Sequence, residues 1–501
     1  MLFNSIEFAI FLPIVFLLYW FLFDYALRRC KWQLWWQNLF VLAASYVFYG
    51  WWDQKFLLLI ALTTLCSFGS GLLIASEELN RTGGGNSSQR SYKKFWLWAN
   101  VLLNLGILGV FKYYDFFVES FARLFGVDAE THLLHLVLPV GISFYTFQAL
   151  SYSIDVYKGK IAATRDLVAF AAFLSFFPQL VAGPIERATN LLPQFQQRRV
   201  FDYQQAVDGM RQILWGLFKK IVVADNCATY VDTVFGSIGE QTGSTLALAA
   251  VLFTFQIYGD FSGYSDIAIG TAKLFGIRLM RNFNVPYFSR DIAEFWRRWH
   301  ISLTTWFRDY VYIPLGGSRP EVPLHARHPE AYKKAVVVRN TFVIFLLSGF
   351  WHGANWTFVL WGAYHALLFL PLILTGKNRK YMDAPTWRDL PKILLTFMLV
   401  VFGWIIFRAE SLSQFAEYVE GMWQFGTLRS VYRFFTLEEM RPMNWFIVIM
   451  LVVEWICKKK QYSFDISFIK YKWVRFAIYY GLILLIWIYG TEQQTFIYFQ
   501  F

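Results

Sequence analysis

Apolar runs long enough to cross a bilayer recur along most of this 501-residue chain. A helix of about 20 apolar residues spans the hydrocarbon core of a membrane, so each run is a candidate membrane segment. With 57% hydrophobic and 16% charged residues, the chain carries more apolar surface than a water-soluble fold of this length buries. We predict an all-α polytopic membrane protein of about 11–12 transmembrane segments. The runs are residues 6–23, 34–52, 56–76, 95–111, 133–154, 209–223, 245–258, 341–350, 356–374, 393–407, 445–457 and 476–489.

Basic residues gather after alternate runs. One cluster follows the third run and one follows the fifth: Arg81, Arg90, Lys93 and Lys94, then Lys158, Lys160 and Arg165. Basic loops stay on the cytoplasmic side of a membrane, so both clusters are expected inside. The first run has no Lys or Arg before it and no small-residue cleavage site, so we predict that it is retained and not removed as a signal peptide. The positive-inside rule places its N-terminus outside. An even number of crossings, about twelve segments with one hairpin around His352, places the C-terminus outside too.

The net charge of +12 does not indicate a nucleic-acid partner. The basic residues lie between apolar runs and form no single patch interleaved with exposed aromatic side chains. The four cysteines are isolated from one another, at Cys30, Cys66, Cys227 and Cys457. Neither a metal site nor a disulfide framework is therefore predicted.

Two stretches interrupt the apolar pattern. Within residues 170–195 the interruptions are Pro178, Gly183, Pro184 and Pro193. Prolines free backbone groups that lipid cannot satisfy, so this stretch should be re-entrant or packed within protein. The motif Asp260-Phe-Ser-Gly-Tyr-Ser-Asp266 predicts a second break, either a broken helix beside a cavity or a loop at the membrane surface.

Residues 278–339 are both basic and aromatic. Helical spacing groups Phe295 and Ser302 on one face, which turns Arg297 and Arg298 elsewhere. We predict a helix lying in or dipping from the cytoplasmic interface. Its charge would attract a polyanion such as a coenzyme A thioester, although positive-inside topology alone also explains the basic residues.

Two histidines stand in or beside apolar segments. His300 ends the motif Glu294-Phe-Trp-Arg-Arg-Trp-His300, and His352 lies within Ser348-Gly-Phe-Trp-His-Gly-Ala-Asn-Trp356. A titratable imidazole at membrane depth is costly, so we predict a function for both, with helix–helix hydrogen bonding as the alternative. The glycine and asparagine after His352 break the helix and predict a place in the protein interior. His365, in the middle of an apolar run, is predicted to be structural.

Five motifs occur in order along nearly the whole chain: Phe177-Pro-Gln-Leu-Val-Ala-Gly-Pro-Ile185, Asp260-Phe-Ser-Gly-Tyr-Ser-Asp266, Phe295-Trp-Arg-Arg-Trp-His300, Trp306-Phe-Arg-Asp-Tyr-Val-Tyr-Ile-Pro-Leu-Gly-Gly317 and Phe350-Trp-His-Gly-Ala-Asn-Trp356. Together they resemble the membrane-bound O-acyltransferase family, in its bacterial alginate O-acetyltransferase branch. The resemblance implies one integral membrane domain over residues 1–501, with re-entrant and interfacial helices around a central tunnel. Its expected parts are N-terminal helices (1–165), a catalytic core (166–375), and C-terminal helices with an aromatic tail (376–501).

The same resemblance implies acyl transfer across the membrane. His352 matches the hallmark catalytic histidine of the family, and His300 matches a second histidine specific to the branch. The donor would be acetyl-CoA from the cytoplasm, with no tightly bound cofactor and no metal. The acetyl group would pass to a periplasmic acetyltransferase or acyl-relay protein that modifies a polysaccharide such as alginate. The chain would lie in the bacterial inner membrane, in contact with lipid, with both termini periplasmic.

The chemistry of acyl transfer agrees with these roles. Transfer to a hydroxyl needs a base, and burial keeps an imidazole neutral and able to accept a proton. His352 is the predicted base, and Asn355 and Trp356 would position the thioester carbonyl. The full set of candidate substrate-binding residues is Trp296, Arg297, Arg298, Asp309, Asn355 and Trp356.

Two other functions fit parts of the pattern. D-alanyl transfer to a cell-wall polymer would use a carrier-protein thioester as the donor. A transporter or flippase would also explain broken helices and buried polar groups. Transporter folds usually carry paired repeats, however, and the chain holds no second copy of Trp-His-Gly or of the Asp260-to-Asp266 motif.

The chain ends in the aromatic tail Phe496-Ile-Tyr-Phe-Gln-Phe501. Aromatic side chains at the end of a membrane segment often act as interface anchors. The spacing Phe-x-Tyr-x-x-Phe also resembles the tail of the small membrane peptide that serves D-alanyl transferases. We therefore hypothesise that Tyr498 folds back and accepts the acyl group, because a phenol becomes a nucleophile when a neighbouring base removes its proton.

The positive-inside pattern makes a prediction about topology. A cysteine placed in the loop 83–86 should react with a membrane-impermeant maleimide only after the cytoplasmic side is opened, because the loop lies within the basic cluster that follows the third run. A periplasmic reporter fused after Phe501 should be active. Labelling of the loop from outside intact cells would overturn the predicted orientation.

Overall fold

A computed structural model of the chain describes residues 1–76, 87–181, 183–318, 320–321, 328–424, 426, 432, 436, 441–490 and 494–497. Regular structure in these ranges is helical throughout. The α-helices, numbered α1 to α20 in chain order, are Ile6–Leu17, Gln33–Gly50, Leu57–Ile74, Ser87–Leu108, Tyr114–Phe125, Ile142–Tyr157, Leu167–Ser175, Phe177–Leu180, Ala188–Phe195, Tyr203–Leu217, Asp225–Phe235, Gly243–Leu274, Ile292–Arg298, Ile301–Phe307, Pro329–His352, Trp356–Leu374, Leu390–Arg408, Leu412–Trp423, Arg441–Cys457 and Lys472–Tyr489. Turns of π-helix extend some of them, at Leu18–Ala26, Gly109–Tyr113, Phe218–Ala224 and Arg308–Tyr312.

The described residues contain eight helices that are long and apolar enough to cross a membrane. They are Ile6–Ala26, Gln54–Ile74, Arg90–Phe125, Gly243–Leu274, Pro329–His352, Trp356–Leu374, Trp387–Arg408 and Lys472–Tyr489. Helices also cover residues 34–50 of the predicted run 34–52 and all of the run 209–223. The prediction of an all-α polytopic membrane protein is confirmed.

The chain forms two compact units. The first comprises Met1–Met210 and Ala268–Met280, and the second comprises Arg211–Ile267 and Arg281–Phe501. Helix α12 contributes residues to both units because the boundary falls within it. The three-part division expected from the sequence stays a prediction.

In the first unit, the stretch rich in proline and glycine forms the short helices α7, α8 and α9. The carboxylate of Asp166 caps α7 by accepting the backbone N–H of Ala169 at 3.0 Å. The rings of Phe170, Phe173 and Phe177 are completely buried among their neighbours. The predicted break and the packing of this stretch within protein are therefore confirmed.

The helix predicted over residues 133–154 begins later than expected. Its first half is not helical, and α6 starts at Ile142. Gly141 precedes it with a φ of 74°, and a Cβ there would lie 2.4 Å from the carbonyl oxygen of Leu180. Both the left-handed backbone and the close approach require glycine, so the turn into the helix is set by tertiary packing.

In the second unit, the predicted break at residues 260–266 does not occur, because α12 runs through the motif without interruption. The glycines of α12 in this region allow close packing against another helical segment. A Cβ on Gly259 would lie 2.9 Å from the carbonyl oxygen of Lys219, and one on Gly263 would lie 2.7 Å from that of Gly216. Small residues let two backbones approach closely, which is how helices associate in membranes.

The charges of this motif are neutralised within protein. Lys219 donates to Asp266 at 2.6 Å and to Ser262 at 2.9 Å, and Gln212 donates to Asp266 at 2.7 Å. A paired carboxylate does not need an aqueous cavity. The sequence motif therefore marks a helix packed against basic partners and not an interrupted one.

Helices α15 and α16 form the hairpin that was predicted around His352. A Cβ on Gly349 would lie 2.1 Å from the carbonyl oxygen of Phe358, and one on Gly362 would lie 2.3 Å from that of Phe345. Any larger residue at either position would separate the two helices. The hairpin therefore presents a fixed scaffold for the residues at its turn.

Candidate active site

The sequence predicted a helix through the motif that ends at His300. In the structure His300 lies between two short helices instead. Helix α13 ends at Arg298 and α14 begins at Ile301, and His300 has a left-handed backbone with φ 42° and ψ 53°. Such a conformation costs a residue with a side chain on the order of 1–3 kcal/mol and persists only where its surroundings impose it. The contact that holds this conformation is a backbone hydrogen bond from the N–H of Ile301 to the carbonyl of Asn282 at 2.8 Å.

The Asn282 side chain organises the polar groups around His300. Its Oδ1 accepts the backbone N–H of Ser302 at 3.3 Å and the Ser302 hydroxyl at 2.9 Å. Its Nδ2 donates to the hydroxyl of Ser265 at 3.1 Å. A backbone N–H can only donate, so the amide atom that faces Ser302 is the oxygen. The orientation of the amide follows from this network.

The same amide oxygen determines which nitrogen of His300 carries the proton. Nδ1 of His300 lies 3.1 Å from Oδ1 of Asn282. Because this oxygen only accepts, Nδ1 must be the protonated nitrogen of the neutral ring, and Nε2 then carries a lone pair. The geometry makes Nε2 the basic atom of His300.

Nε2 of His300 is buried, with no hydrogen-bond partner among the residues that the structure describes. The side chain is 1% exposed, and burial lowers the pKa of His300 from its ordinary value of 6.5 to about 3. The imidazole is therefore neutral at physiological pH. A neutral ring with an available lone pair has the form required of a general base.

His352 lies at the C-terminal end of α15 and is buried among aromatic rings. Its ring centroid is 5.0 Å from that of Trp351, 5.2 Å from Trp361 and 5.2 Å from Phe407. The indole of Trp351 also contacts His300, at 5.9 Å between centroids. The structure thus brings the two predicted histidines to one shared indole.

The turn after His352 is shaped by Gly353 and Asn355. A Cβ on Gly353 would lie 2.1 Å from the ring of Phe358, so only glycine fits there. Asn355 caps α16 by accepting the N–H of Thr357 at 3.0 Å, and its Nδ2 donates to the carbonyl of Glu410 at 2.7 Å. Both halves of the amide hold the hairpin in place, and the carbonyl-positioning role expected for Asn355 stays a prediction. Trp356, its neighbour, is exposed.

Arg297 and Arg298 hold a neighbouring loop of the second unit. Arg297 donates to the carbonyls of Asn378 at 2.7 Å and Tyr381 at 2.8 Å. Arg298 forms an ion pair with buried Glu294 at 2.7 Å and donates to the carbonyl of Asn284 at 3.2 Å. The charge of Arg298 is therefore paired inside the protein. Substrate binding by these arginines stays a prediction.

The remaining predicted residues have different surroundings. Trp296 packs against Trp361 with ring centroids 5.5 Å apart and against His365 at 5.0 Å. It belongs to the aromatic cluster that contains His352, because Trp361 contacts both. Asp309 accepts a hydrogen bond from Arg308 at 2.7 Å. Tyr498 lies outside the described residues.

Sequence reasoning missed Asn282 and Ser302, the residues that orient His300. Asn282 lies in the irregular stretch between α12 and α13, where no periodic pattern distinguishes it. Ser265 belongs to the motif at residues 260–266, which was the one available signal. Within the described ranges, no group of three His, Cys, Asp or Glu side chains is arranged to hold a metal ion.

Comparison with known proteins gives a consistent set of relatives. Residues 160–409, which include both histidines, match the family described as MBOAT, membrane-bound O-acyltransferase. The chain is 43% identical to the probable alginate O-acetylase AlgI of Pseudomonas aeruginosa, over 78% of this chain and 70% of that protein. It is 34% identical to a peptidoglycan O-acetyltransferase of Helicobacter pylori, over 84% of this chain and 80% of that protein. A teichoic acid D-alanyltransferase of Bacillus subtilis is 29% identical over 55% of this chain and 70% of its own length.

The lowered pKa of His300 predicts a pH-dependent contribution to stability. Below pH 6.5 the unfolded chain takes up a proton at His300 that the folded chain does not, so the free energy of unfolding falls as the pH falls. Between pH 7.5 and 5.5 this group alone should cost about 1.4 kcal/mol. Thermal unfolding of the purified protein in detergent should therefore lose more stability over this range in the wild type than in His300→Gln. Parallel pH profiles for the two proteins would contradict the buried neutral state.

Proposed function

The chain belongs to the membrane-bound O-acyltransferase family and is an O-acyltransferase, and we propose that it moves an acetyl group from cytoplasmic acetyl-CoA across the membrane. The acceptor at the end of this sequence is a secreted or cell-surface polysaccharide such as alginate. Two relatives, named for alginate and peptidoglycan acetylation, support a polysaccharide acceptor. A periplasmic partner completes the transfer. The protein lies in the bacterial inner membrane with both termini periplasmic.

The observation that carries the proposal is the tautomer of His300. Asn282 holds the proton on Nδ1 and leaves a buried lone pair on Nε2, beside the indole that His300 shares with His352. Two imidazoles in one aromatic enclosure suit a reaction that removes a proton from a hydroxyl and returns it to a leaving group. The enclosure also excludes water, which would otherwise hydrolyse the thioester.

The chemistry divides between the two histidines. His352 accepts the proton of the acceptor hydroxyl while the hydroxyl oxygen attacks the carbonyl carbon of the acetyl thioester. A C–O bond forms, the C–S bond breaks, and the imidazolium returns the proton to the departing thiolate. The hydroxyl has one proton, so it donates to Nε2 of His300 when it binds, which orients it, and passes that proton to His352 as it attacks.

The donor reaches the site from the basic cytoplasmic side. The charge of residues 278–339 attracts the phosphates of coenzyme A. Arg297 bonds to the loop at residues 378–383, and Arg298 bonds to Glu294. These two arginines therefore hold the structure of this side of the protein in addition to contributing positive charge. Asn355 and Trp356 lie at the turn next to His352, where the thioester carbonyl is expected.

The aromatic tail supplies an acceptor within the chain itself. Phe496 is 1% exposed and Ile497 is 2% exposed, which supports a tail folded into the second unit. Tyr498 follows directly in the sequence and takes the acetyl group on its phenolic oxygen, with His352 as the base. An aryl ester is reactive because phenolate is a good leaving group: a hydroxyl of the periplasmic partner attacks the acetyl carbon, the bond between that carbon and the Tyr498 oxygen breaks, and the phenolate takes up the proton of the hydroxyl.

Replacement of the predicted base tests the mechanism directly. His352→Ala should lower acetyl transfer from labelled acetyl-CoA by about 10²–10⁴-fold, the usual contribution of a general base. His300→Ala should impair transfer less, because it orients the acceptor. The measurement is covalent label on the polymer in membranes that also contain the partner, with expression and folding of each variant checked.

His365→Gln is the matched control, since His365 is also buried and contacts Trp361 at 4.9 Å. It should retain most of the activity. Near-normal acetylation by His352→Ala would show that His352 is not the base. Label from a D-alanyl carrier-protein thioester, with none from acetyl-CoA, would favour D-alanyl transfer, and movement of acetyl groups without covalent label would favour transport.

The relay step predicts a covalent adduct. After incubation of the protein with acetyl-CoA, mass analysis of peptides should find an acetyl group on Tyr498 that is absent in His352→Ala. Tyr498→Phe should abolish acetylation of the polymer, whereas Tyr489→Phe, at the end of α20, should not. Full polymer acetylation by Tyr498→Phe would show that the tail is only an anchor.

A further inference from the structure

A buried ionic cluster of the second unit bonds to the backbone of the tail. Oδ2 of Asp260 accepts the N–H of Ile497 at 2.7 Å. The ammonium group of Lys220 donates to the carbonyl of Gln494 at 3.2 Å. One charged side chain thus holds each end of the segment 494–497.

The cluster is compact and almost sealed from solvent. Lys220 forms ion pairs with Asp225 at 2.7 Å and with Asp260 at 2.8 Å, and all three side chains are at most 5% exposed. Buried charges are costly unless they are paired and hydrogen-bonded. Two carboxylates share one ammonium group here, so the N–H of Ile497 helps to stabilise the additional negative charge.

The side chain of Phe496, which lies between these two contacts, packs against aromatic rings. Phe496 packs against Tyr264 with ring centroids 4.7 Å apart and against Phe261 at 5.9 Å. Phe261 in turn meets the edge of His300 at 4.7 Å. A single ring therefore separates the anchored tail from the imidazole of the candidate active site.

We propose that Lys220, Asp225 and Asp260 form a docking site for an extended peptide segment, which we term the tail clamp. Its present occupant is the segment 494–497. The clamp recognises backbone N–H and C=O groups, so the main chain supplies the affinity. The slot formed by Phe261 and Tyr264 supplies the preference for an aromatic side chain.

The clamp positions the residues that follow it. It rests on the proposed function for its purpose, which is to hold the tail through Phe496 against the ring that contacts His300, so that Tyr498 can reach the acyl-transfer site. Asp260 and Lys220 are then positioning residues for the relay. Lys219 and Asp266 form an ion pair between the same two helical segments. Among the described residues this pair does not bond to the tail, so it is the control for the clamp.

Thiol reactivity tests the clamp without measuring acyl transfer. In the full-length protein, Cys30 and Cys66 are replaced by serine, and a reporter cysteine is introduced by Ile497→Cys or Thr495→Cys. Ile497 is buried and Thr495 is exposed, so N-ethylmaleimide should modify the Ile497→Cys protein at least about tenfold more slowly. The buried native thiols Cys227 and Cys457 report folding in the same sample.

Asp260→Asn should then raise the labelling rate of the Ile497→Cys reporter by about tenfold, because a charge-assisted hydrogen bond becomes a neutral one. Asp266→Asn removes a paired carboxylate of the same helix that is 14% exposed and does not bond to the tail, and should leave the reporter protected. Equal rates in the parent and Asp260→Asn proteins would overturn the clamp. Equal acceleration by both substitutions would show general loosening instead, and would overturn it too.

A substitution in the tail keeps the test independent of the buried charges. With Phe496→Cys as the reporter, Ile497→Pro removes the N–H that Asp260 accepts, whereas Ile497→Ala keeps it. The proline variant should label several-fold faster than the alanine variant, and equal rates would refute the contact. Protection of the reporter in a protein that transfers no acetyl group would support the clamp and reject the relay, so the two proposals fail separately.

Discussion

A polar group inside this protein must find its partner within the protein, because neither lipid nor an apolar core can replace water. Most of the arrangement of the second unit follows from this constraint. Lys219 pairs with Asp266 between adjacent helical segments. Arg290 and Arg298 both pair with buried Glu294 at the base of α13. The first pair links two helical segments, and Arg290 also pairs with Asp383 in a distant loop at 3.1 Å, so satisfying a charge also determines where a helix lies.

The candidate active site uses the same constraint in a different way. Both the oxygen and the nitrogen of the Asn282 amide have partners, in Ser302, His300 and Ser265, and its orientation leaves only one possible tautomer for His300. Nε2 of His300 is an exception to this pairing, as are several other buried side-chain atoms, because it has no partner among the described residues. Leaving such an atom unsatisfied costs about 1–3 kcal/mol. A site that binds a hydroxyl recovers this cost when the substrate is present, which is why the exception points to function.

Glycine provides the second general feature of the fold. Three close contacts depend on glycine. They are the contact of α12 with the helical segment 216–220, the contact of α15 with α16, and the turn after His352. Backbones that approach so closely leave little freedom for the hairpin that carries His352. The same contacts explain why glycines in apolar runs were misinterpreted as breaks. A glycine can end a helix or bring two helices together, and its neighbours in sequence do not distinguish the two.

The sequence by itself determined the membrane class, most helix positions, the break at residues 170–195, the hairpin around His352 and the two histidines of interest. These features depend on local hydropathy, on proline geometry and on motif identity, all of which are carried by adjacent residues. Tertiary structure alone decided that α12 is continuous, that His300 lies in a left-handed turn, and that Asn282 sets its tautomer. It also decided that Lys219 pairs with Asp266 and that the segment 494–497 meets Asp260. These features join residues far apart in the chain, and the free energy that selects them comes from burial and pairing, which no local pattern encodes.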